Sequence, residues 1–435
     1  MSLKNYTQFL NEEIKFNTSW VLESVLNEGG AYGHISHPFE DIGLTMGDLR
    51  EMIDATVNGA FTPDNFVQEK TDGQNIMISW KNGKVIAARN KGHLKNAGAE
   101  ALDKDSLAAL FAGRGDIETA YNAAMNDLSA ALGSLSEADK KKYFDEGKKF
   151  ASVEIITPIT QNTVPYGQDI LVLHGVVEHD ESGAAVGEDK QAGRDLGKLI
   201  ADANASAQQK FFVRGPQDIA SIPFPNTATR ASYYNGKLDT IMKDSGSNPS
   251  STVGDYALGM GKKILEEEAK SAGVTIPAEY IEGLARRVAG IDKSYREAAM
   301  KKDLGPEVTA WYINLEKTKE KELKRAVYAP LESIFLEIGT EMMRNISAFL
   351  SANPTEAAAA MRKEIDATIS AVKTNGDEKD VAKLEVELSR VAAAGGLESI
   401  VPTEGITFIF KGKLYKYTGI FAPLHQIRSI LAYKK

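Results

Sequence analysis

A long helical block splits the β-forming pattern of this chain in two, and that interruption constrains the fold more than any other feature. Residues 1 to about 230 read as mixed α and β. Thr45 is placed to cap a helix running Met46-Gly47-Asp48-Leu49-Arg50-Glu51-Met52-Ile53. Two β-runs, around Ile76 and Val85, are joined by Lys81-Asn82-Gly83-Lys84, whose Asn-Gly step is a strong hairpin signal. A helical stretch follows from Lys104 to Lys149, then strands near Phe150 to Ile156 and Ile170 to Glu178. From Gly236 to Gly396 the periodicity is helical, with breaks at Asp244 to Ser251, Gly273 to Pro277, Pro354 and Asn375-Gly376. β texture returns at Ile406 to Phe410 and Leu414 to Thr418, around the turn Lys411-Gly412-Lys413. The order predicts an α+β fold of two bodies, which 435 residues at 43% hydrophobic content can bury.

Charge and cysteine usage narrow the function classes. There is no cysteine, so disulfides and thiolate zinc sites are excluded, which fits a reducing cytoplasm. Met1-Ser2-Leu3-Lys4-Asn5-Tyr6 lacks signal-peptide regions and no apolar run approaches membrane-spanning length, so a cytoplasmic protein without a membrane partner is expected. The net charge of −9 disfavours phosphate contacts unless positive charge is local. From Glu404 onward the only acid is Glu404 itself, against Lys411, Lys413, Lys416, Arg428, Lys434 and Lys435, which predicts a basic face there. The block from Gly236 to Gly396 holds 23 Lys plus Arg and 26 Asp plus Glu, so it is not a basic arm.

The chemistry-bearing run is Glu69-Lys70-Thr71-Asp72-Gly73-Gln74-Asn75. Lys70 stands before an Asp-Gly turn, between apolar Phe66-Val67 and the strand-like Ile76-Met77-Ile78-Ser79-Trp80, placed as a nucleophile aimed at a phosphate. An amine attacks only when neutral, so burial or nearby cations must depress its pKa. Downstream come Arg89 at the end of a β-run, Glu154 within Phe150 to Ile156, Glu404-Gly405-Ile406-Thr407-Phe408, and Leu414-Tyr415-Lys416-Tyr417. Strand-borne carboxylates offer hard oxygen ligands suited to Mg²⁺ or Mn²⁺.

This series resembles the motifs of the covalent nucleotidyltransferase superfamily, which holds ATP-dependent DNA ligases, RNA ligases and mRNA capping enzymes. The form Glu-Lys-x-x-Gly-x-Asn, with Asn75 where DNA ligases usually carry arginine, is closest to the phage-type RNA ligase branch. The stretch from His34-Ile35-Ser36-His37-Pro38-Phe39 to Trp80 also resembles ligase-like open reading frames of tailed phages. The resemblance implies an antiparallel-sheet nucleotidyltransferase core of ATP-grasp-like ligase type, formed by residues 1–235 and completed by 397–435, with an inserted all-helical domain at 236–396. It leaves no room after Lys416 for a C-terminal OB-fold. The implied activity is ATP-dependent ligation of a polynucleotide, RNA rather than DNA, with 5′-phosphate and 3′-hydroxyl ends, through a covalent lysyl-AMP.

The resemblance also distributes roles. Lys70 would attack the α-phosphate of ATP, Lys416 would contact phosphate, and Arg89 would serve the ribose and phosphate end, both cations helping to keep Lys70 neutral. Glu154 would bind the ribose, Glu404 the Mg²⁺ or Mn²⁺, and Glu69 the adenine, within a nucleotide-binding motif that includes Asp72, Gly73 and Asn75. His174, in Leu171-Val172-Leu173-His174-Gly175, would stack on the purine or be a buried histidine satisfied by backbone. The family's last motif has two lysines, whereas Tyr417 and Thr418 follow Lys416 here, so Lys413 or Lys411 would substitute from the hairpin turn or the second contact would be weaker. A helical insertion would choose the acceptor, with Lys317 to Arg325 as its basic edge.

Other readings remain open: a capping or protein-modifying nucleotidyltransferase, or a phage structural or interaction protein that keeps the fold without turnover. Among weaker signals, His34 and His37 read as loop hydrogen-bonding residues, and Gly259-Met260-Gly261-Lys262 as part of a helix and not a phosphate loop. Lys317, Lys319, Lys321, Lys324 and Arg325 interleave with glutamates as a solvated helix face.

Overall fold

The computed structural model describes residues 35–60, 67–160, 163–205, 210–216, 219, 223–350 and 354–432, and they form an α+β architecture. Two sheets carry the β structure. The first, of six strands, comprises β2 (Gln74–Lys81), β3 (Lys84–Ala88), β4 (Lys149–Ile156), β5 (Ile170–His179), β6 (Ala185–Asp189) and β7 (Phe212–Arg214). Its order is β3-β2-β4-β5-β6 with antiparallel neighbours, and β7 adds to β5 in parallel. The β2–β3 turn is the expected Asn-Gly one: Asn82 and Gly83 take φ of 52° and 75°, the left-handed pair that a two-residue hairpin requires.

Alternation along these strands builds two different faces. Ile76, Ile78, Val153, Ile155, Leu171 and Leu173 point to one side. There they pack under helices Asp116–Ser134 and Lys190–Ala205, here α1 and α2. The opposite side carries Asn75, Ser152 and Glu154, which are paired or adjacent in the β2–β4 register.

The second sheet joins segments from the two ends of the chain. Its order is β1 (Gln68–Lys70), β8 (Gly405–Phe410) and β9 (Lys413–Thr418), all antiparallel. Ile406, Phe408, Phe410, Tyr415 and Tyr417 form its apolar face and are buried in the largest hydrophobic core. That core also takes Met46, Leu49, Met52 and Ile53 from the helix Met46–Val57. It takes Phe335 and Ile338 from the 46-residue helix Gly305–Leu350, here α3. Thr45 caps the Met46–Val57 helix as expected, its hydroxyl accepting from the Asp48 N–H at 3.0 Å. Helix α3 therefore packs on the small sheet, the helices from 227 to 303 extend the same core away from it, and a separate cluster, including Met361, Ile365, Leu384 and Ile427, packs the last helices beside α3.

The basic face expected after Glu404 is neutralised in the fold. Lys411 pairs with Asp48 and Glu51, Lys413 with Asp41 at 2.7 Å, and Arg428 with Glu364, while Lys416 is buried. The acids come from distant segments. Lys434 and Lys435 lie outside the described residues.

Phe408 and Phe335 both pack on Tyr417, with ring centroids at 4.5 and 5.8 Å. Truncating either to alanine should lower unfolding free energy by about 3–5 kcal/mol. In urea titrations the double variant should lose less than the sum, because both rings share one neighbour. Full additivity would show that sheet and helix do not share a core.

Candidate active site

Strand pairing places Lys70. Lys70 ends β1 opposite Gly405, and Glu404 immediately precedes that glycine, so the Lys70 ammonium and the Glu404 carboxylate form an ion pair across 334 residues of chain. The pair is largely withdrawn from solvent, with side-chain exposures of 17% and 5%. The same ladders align Gln68 with Thr407 and Thr407 with Lys416. Lys70, Gln68, Thr407, Lys416 and Thr418 consequently share the polar face of the small sheet, opposite its aromatic face. Gln68, Thr407, Lys416 and Thr418 are all buried.

The turn after Lys70 is pinned from three sides. The Asp72 carboxylate accepts the Thr163 and Val164 N–H groups at 2.7 and 2.8 Å, and the Asp72 N–H donates to the Tyr166 hydroxyl at 3.0 Å. Burial, then the charges of Glu69, Asp72 and Glu404, hold the Tyr166 phenol well above its ordinary 10, so it stays protonated. The Gly73 N–H donates to Glu154 Oε1 at 2.8 Å. A Cβ at position 73 would lie 2.7 Å from the Ile155 carbonyl oxygen, so this approach requires glycine.

Glu154 is thereby fixed on the large sheet, facing the lysine. Its other oxygen meets His174 Nε2 at 3.2 Å, and the same nitrogen lies 3.3 Å from the Thr71 hydroxyl. His174 sits where the β4–β5 register slips between Ser152 and Val153, a bulge that re-aims its side chain. Burial pushes the Glu154 carboxyl up, but the His174 hydrogen bond and charge, Lys70 and the Gly73 N–H outweigh it, leaving the pKa below its ordinary 4.5.

The remaining expected residues divide. Asn75 donates to the Ser152 hydroxyl at 3.1 Å beside Glu154, and its buried Oδ1 has no hydrogen-bond partner among the described residues. Glu69 is buried against Arg214, which donates to it at 2.9 Å. Arg89 is not brought to the Lys70 side. Its guanidinium donates to the Asn75 carbonyl from the helix-facing side and lies 5.2 Å over Tyr121 and 5.7 Å over Phe111. Lys411 and Lys413 are held at the acidic residues of positions 41–51, so neither joins Lys416. The His37 N–H bonds Glu40 at 2.7 Å and its ring stacks on Phe39, while His34 lies outside the described residues. Gly259 to Lys262 is helical, Lys319 pairs with Glu268 at 3.0 Å, and Arg325 pairs with Glu387 at 3.4 Å.

Sequence reasoning missed Thr71, Ser152, Tyr166 and Arg214. Only Arg214 had a local signal, the short run Phe211-Phe212-Val213 before it, which forms the parallel strand that delivers it.

The donors present fit a nucleotide and a divalent cation. Two lysines share one sheet face, and Gln68 Nε2 and Asn75 Oδ1 are buried polar atoms without partners among the described residues. Among the described residues no cluster of three or more His, Asp or Glu side chains could hold a metal ion. Mg²⁺, however, typically takes one or two carboxylates and completes its shell with phosphate and water oxygens, a demand that Glu404 meets. No helix among the described residues is long and apolar enough to cross a membrane. No protein-family model matches the chain, and no curated protein matches it in sequence.

Because the folded-state pKa of Glu154 is depressed, its charge stabilises the fold above the unfolded value of 4.5 and that contribution disappears as pH falls through the folded value. Glu154→Gln should therefore be less stable than the wild type at neutral pH, with the gap narrowing under acid. Parallel urea titrations at neutral and acidic pH check this, and a gap that stays constant would contradict the assigned charge state.

Proposed function

We propose that the protein is an ATP-dependent polynucleotide ligase of RNA-ligase type that works through a lysyl-AMP intermediate on Lys70. The observation that carries this reading is the convergence of Lys70, Glu404 and Glu154 between two sheets, with Lys416 on the Lys70 face. The chemistry is in-line displacement at phosphorus, where positioning and positive charge dominate.

Lys70 Nζ attacks the α-phosphate of ATP: the N–P bond forms, the bond to the pyrophosphate oxygen breaks, and the amine loses a proton. That proton passes to solvent, because Glu404, which pairs with the ammonium before ATP binds, is the residue assigned to the metal. A bound Mg²⁺ or Mn²⁺ supplies neutralisation of phosphate charge, and Glu404 is the residue that would hold it. Lys416 balances charge on the phosphates. Glu154, held by Gly73 and His174, presents a fixed carboxylate for the ribose hydroxyls. Glu69, the residue before Lys70 in the middle of β1, is oriented by Arg214 and would serve the adenine. AMP then passes to a 5′-phosphate, and a 3′-hydroxyl of RNA displaces it.

Incubation with α-labelled ATP and Mg²⁺ should leave acid-labile label on the protein, which chases onto 5′-phosphorylated RNA and is released on joining. Lys70→Ala should abolish labelling, and Lys70→Arg, which preserves the charge beside Glu404, should abolish it equally while remaining folded. Undiminished labelling in either variant would remove Lys70 from the mechanism. Label that forms but never leads to strand joining would mark a capping or protein-modifying enzyme, and no label with ATP or GTP a protein without turnover.

Glu404→Gln keeps the shape of the side chain and removes its charge. Its labelling rate should fall by about 10²–10³-fold, the usual effect of removing one preorganised electrostatic group. A normal rate at limiting Mg²⁺ would refute the metal role.

A further inference from the structure

The loop between the helices Ala278–Val288 and Glu297–Asp303 reads Lys293-Ser294-Tyr295-Arg296 in sequence. It folds Tyr295 back onto the first of those helices, over Gly283, where a Cβ would lie 2.9 Å from the ring. Tyr295 and Tyr280 end with ring planes 5° apart and centroids 6.2 Å apart. Both rings are half-buried. They line a cleft of about 270 Å³ together with Glu279, Gly283 and Ser294. The Tyr295 hydroxyl is fixed by Asp303 at 3.1 Å, which holds the ring in place.

Residues 278–303, the two helices and the loop that form the cleft, contain six Lys or Arg and five acids, Glu279, Glu282, Asp292, Glu297 and Asp303, with the cations concentrated from Arg286 onward. Arg296 and Lys302 are exposed and carry no ion pair among the described residues. Lys293, 54% exposed, is held by Glu320 at 2.6 Å, Lys301 pairs with Glu297, and Arg286 pairs with Asp292. Such exposed pairs contribute little, so phosphate can compete for these cations. Arg287, half-buried against Glu316, serves the fold instead.

Parallel aromatic faces beside cations are the means by which single-stranded nucleic acids are held without strict sequence preference. We propose that the Tyr280–Tyr295 cleft stacks a base of a single-stranded polynucleotide, with the flanking phosphates following Lys293, Arg296 and Lys302. Glu279 and Ser294 at the rim accept hydrogen bonds from a base amino group, so an amino-bearing base is preferred over uracil. The site lies outside the Lys70 centre. The proposal rests on the reading of the protein as acting on polynucleotides, but its test needs no turnover.

The test is fluorescence anisotropy with labelled oligoadenylate and full-length protein, with no ATP or metal. Wild type should bind saturably and with salt dependence. Tyr280→Leu and Tyr295→Leu should each weaken binding by about tenfold, or ~1.4 kcal/mol. Tyr280→Phe and Tyr295→Phe keep the stacking face and should retain affinity, which separates loss of stacking from misfolding. Unchanged affinity in the leucine variants, or no binding by wild type, overturns the proposal even if Lys70 labels normally. Binding of a trimethyllysine peptide in place of the oligonucleotide also overturns it, because the cleft would then be a cation cage. Oligonucleotide binding that survives Lys70→Ala while labelling is lost leaves the two sites independently established.

Discussion

The three-residue ladder between β1 and β8 is the contact on which the rest of the site depends. It pairs Gln68, Glu69 and Lys70 with Thr407, Ile406 and Gly405, and through that register it sets Glu404 on the Lys70 amine and Lys416 on the same face. Three pairs are few to close so long a chain separation. Loop-closure entropy grows only with the logarithm of loop length, however, and helical structure fills most of the intervening chain. The ladder is also backed on one side by the aromatic core of Phe408, Tyr415 and Tyr417, which supplies the burial that three hydrogen-bonded pairs do not.

The two sheets present facing surfaces that an optimally stable protein would not have. Gln68, Glu69, Asp72, Glu404, Thr407 and Lys416 are all buried. Burying a charge is unfavourable unless it is paired and hydrogen-bonded, and here Glu69 has Arg214, Asp72 has two backbone N–H groups, and Glu404 has Lys70. Apolar residues of similar volume would stabilise such positions at least as well. A polar interior maintained by this many compensations is the kind of departure from optimal stability found at functional sites, and Asn75 Oδ1 and Gln68 Nε2, without hydrogen-bond partners among the described residues, lie within it.

Local chemistry made much of this legible in the sequence. Asn82-Gly83 and Lys411-Gly412 fixed both hairpins, and Thr45 fixed a helix start, because turn and cap geometry act within a few residues. Arg89 shows where such reasoning was incomplete. With Met77 opposite Ala88, the hairpin register sets Arg89 across from Ile76, so strand alternation alone directs it to the core face and away from the face that carries the Asn75 and Glu154 side chains. The bulge at His174 had no sequence signal, since it is the pairing of two strands that slips. The partners of Lys411 and Lys413 were equally hidden, because a list of charges omits that the hairpin lands beside Asp41 and Asp48.

The helical segment cannot be considered a detachable accessory to this chemistry. The helix α3, Gly305–Leu350, packs on the aromatic face of the same small sheet whose polar face carries Lys70 and Lys416. Deleting it would uncover Tyr417 and its aromatic neighbours and weaken the support for the β1–β8 register that positions Glu404. Any part these helices play in choosing an acceptor must therefore be separated from their part in holding the site, which surface substitutions at Tyr280, Tyr295 and Arg296 do and excision does not. The same packing gives a physical route by which occupancy of the helical surface could bias the Lys70 centre: α3 touches both bodies, packing Phe335 against Tyr417 on one side and Leu323 and Leu315 into the core that holds Leu284 on the other.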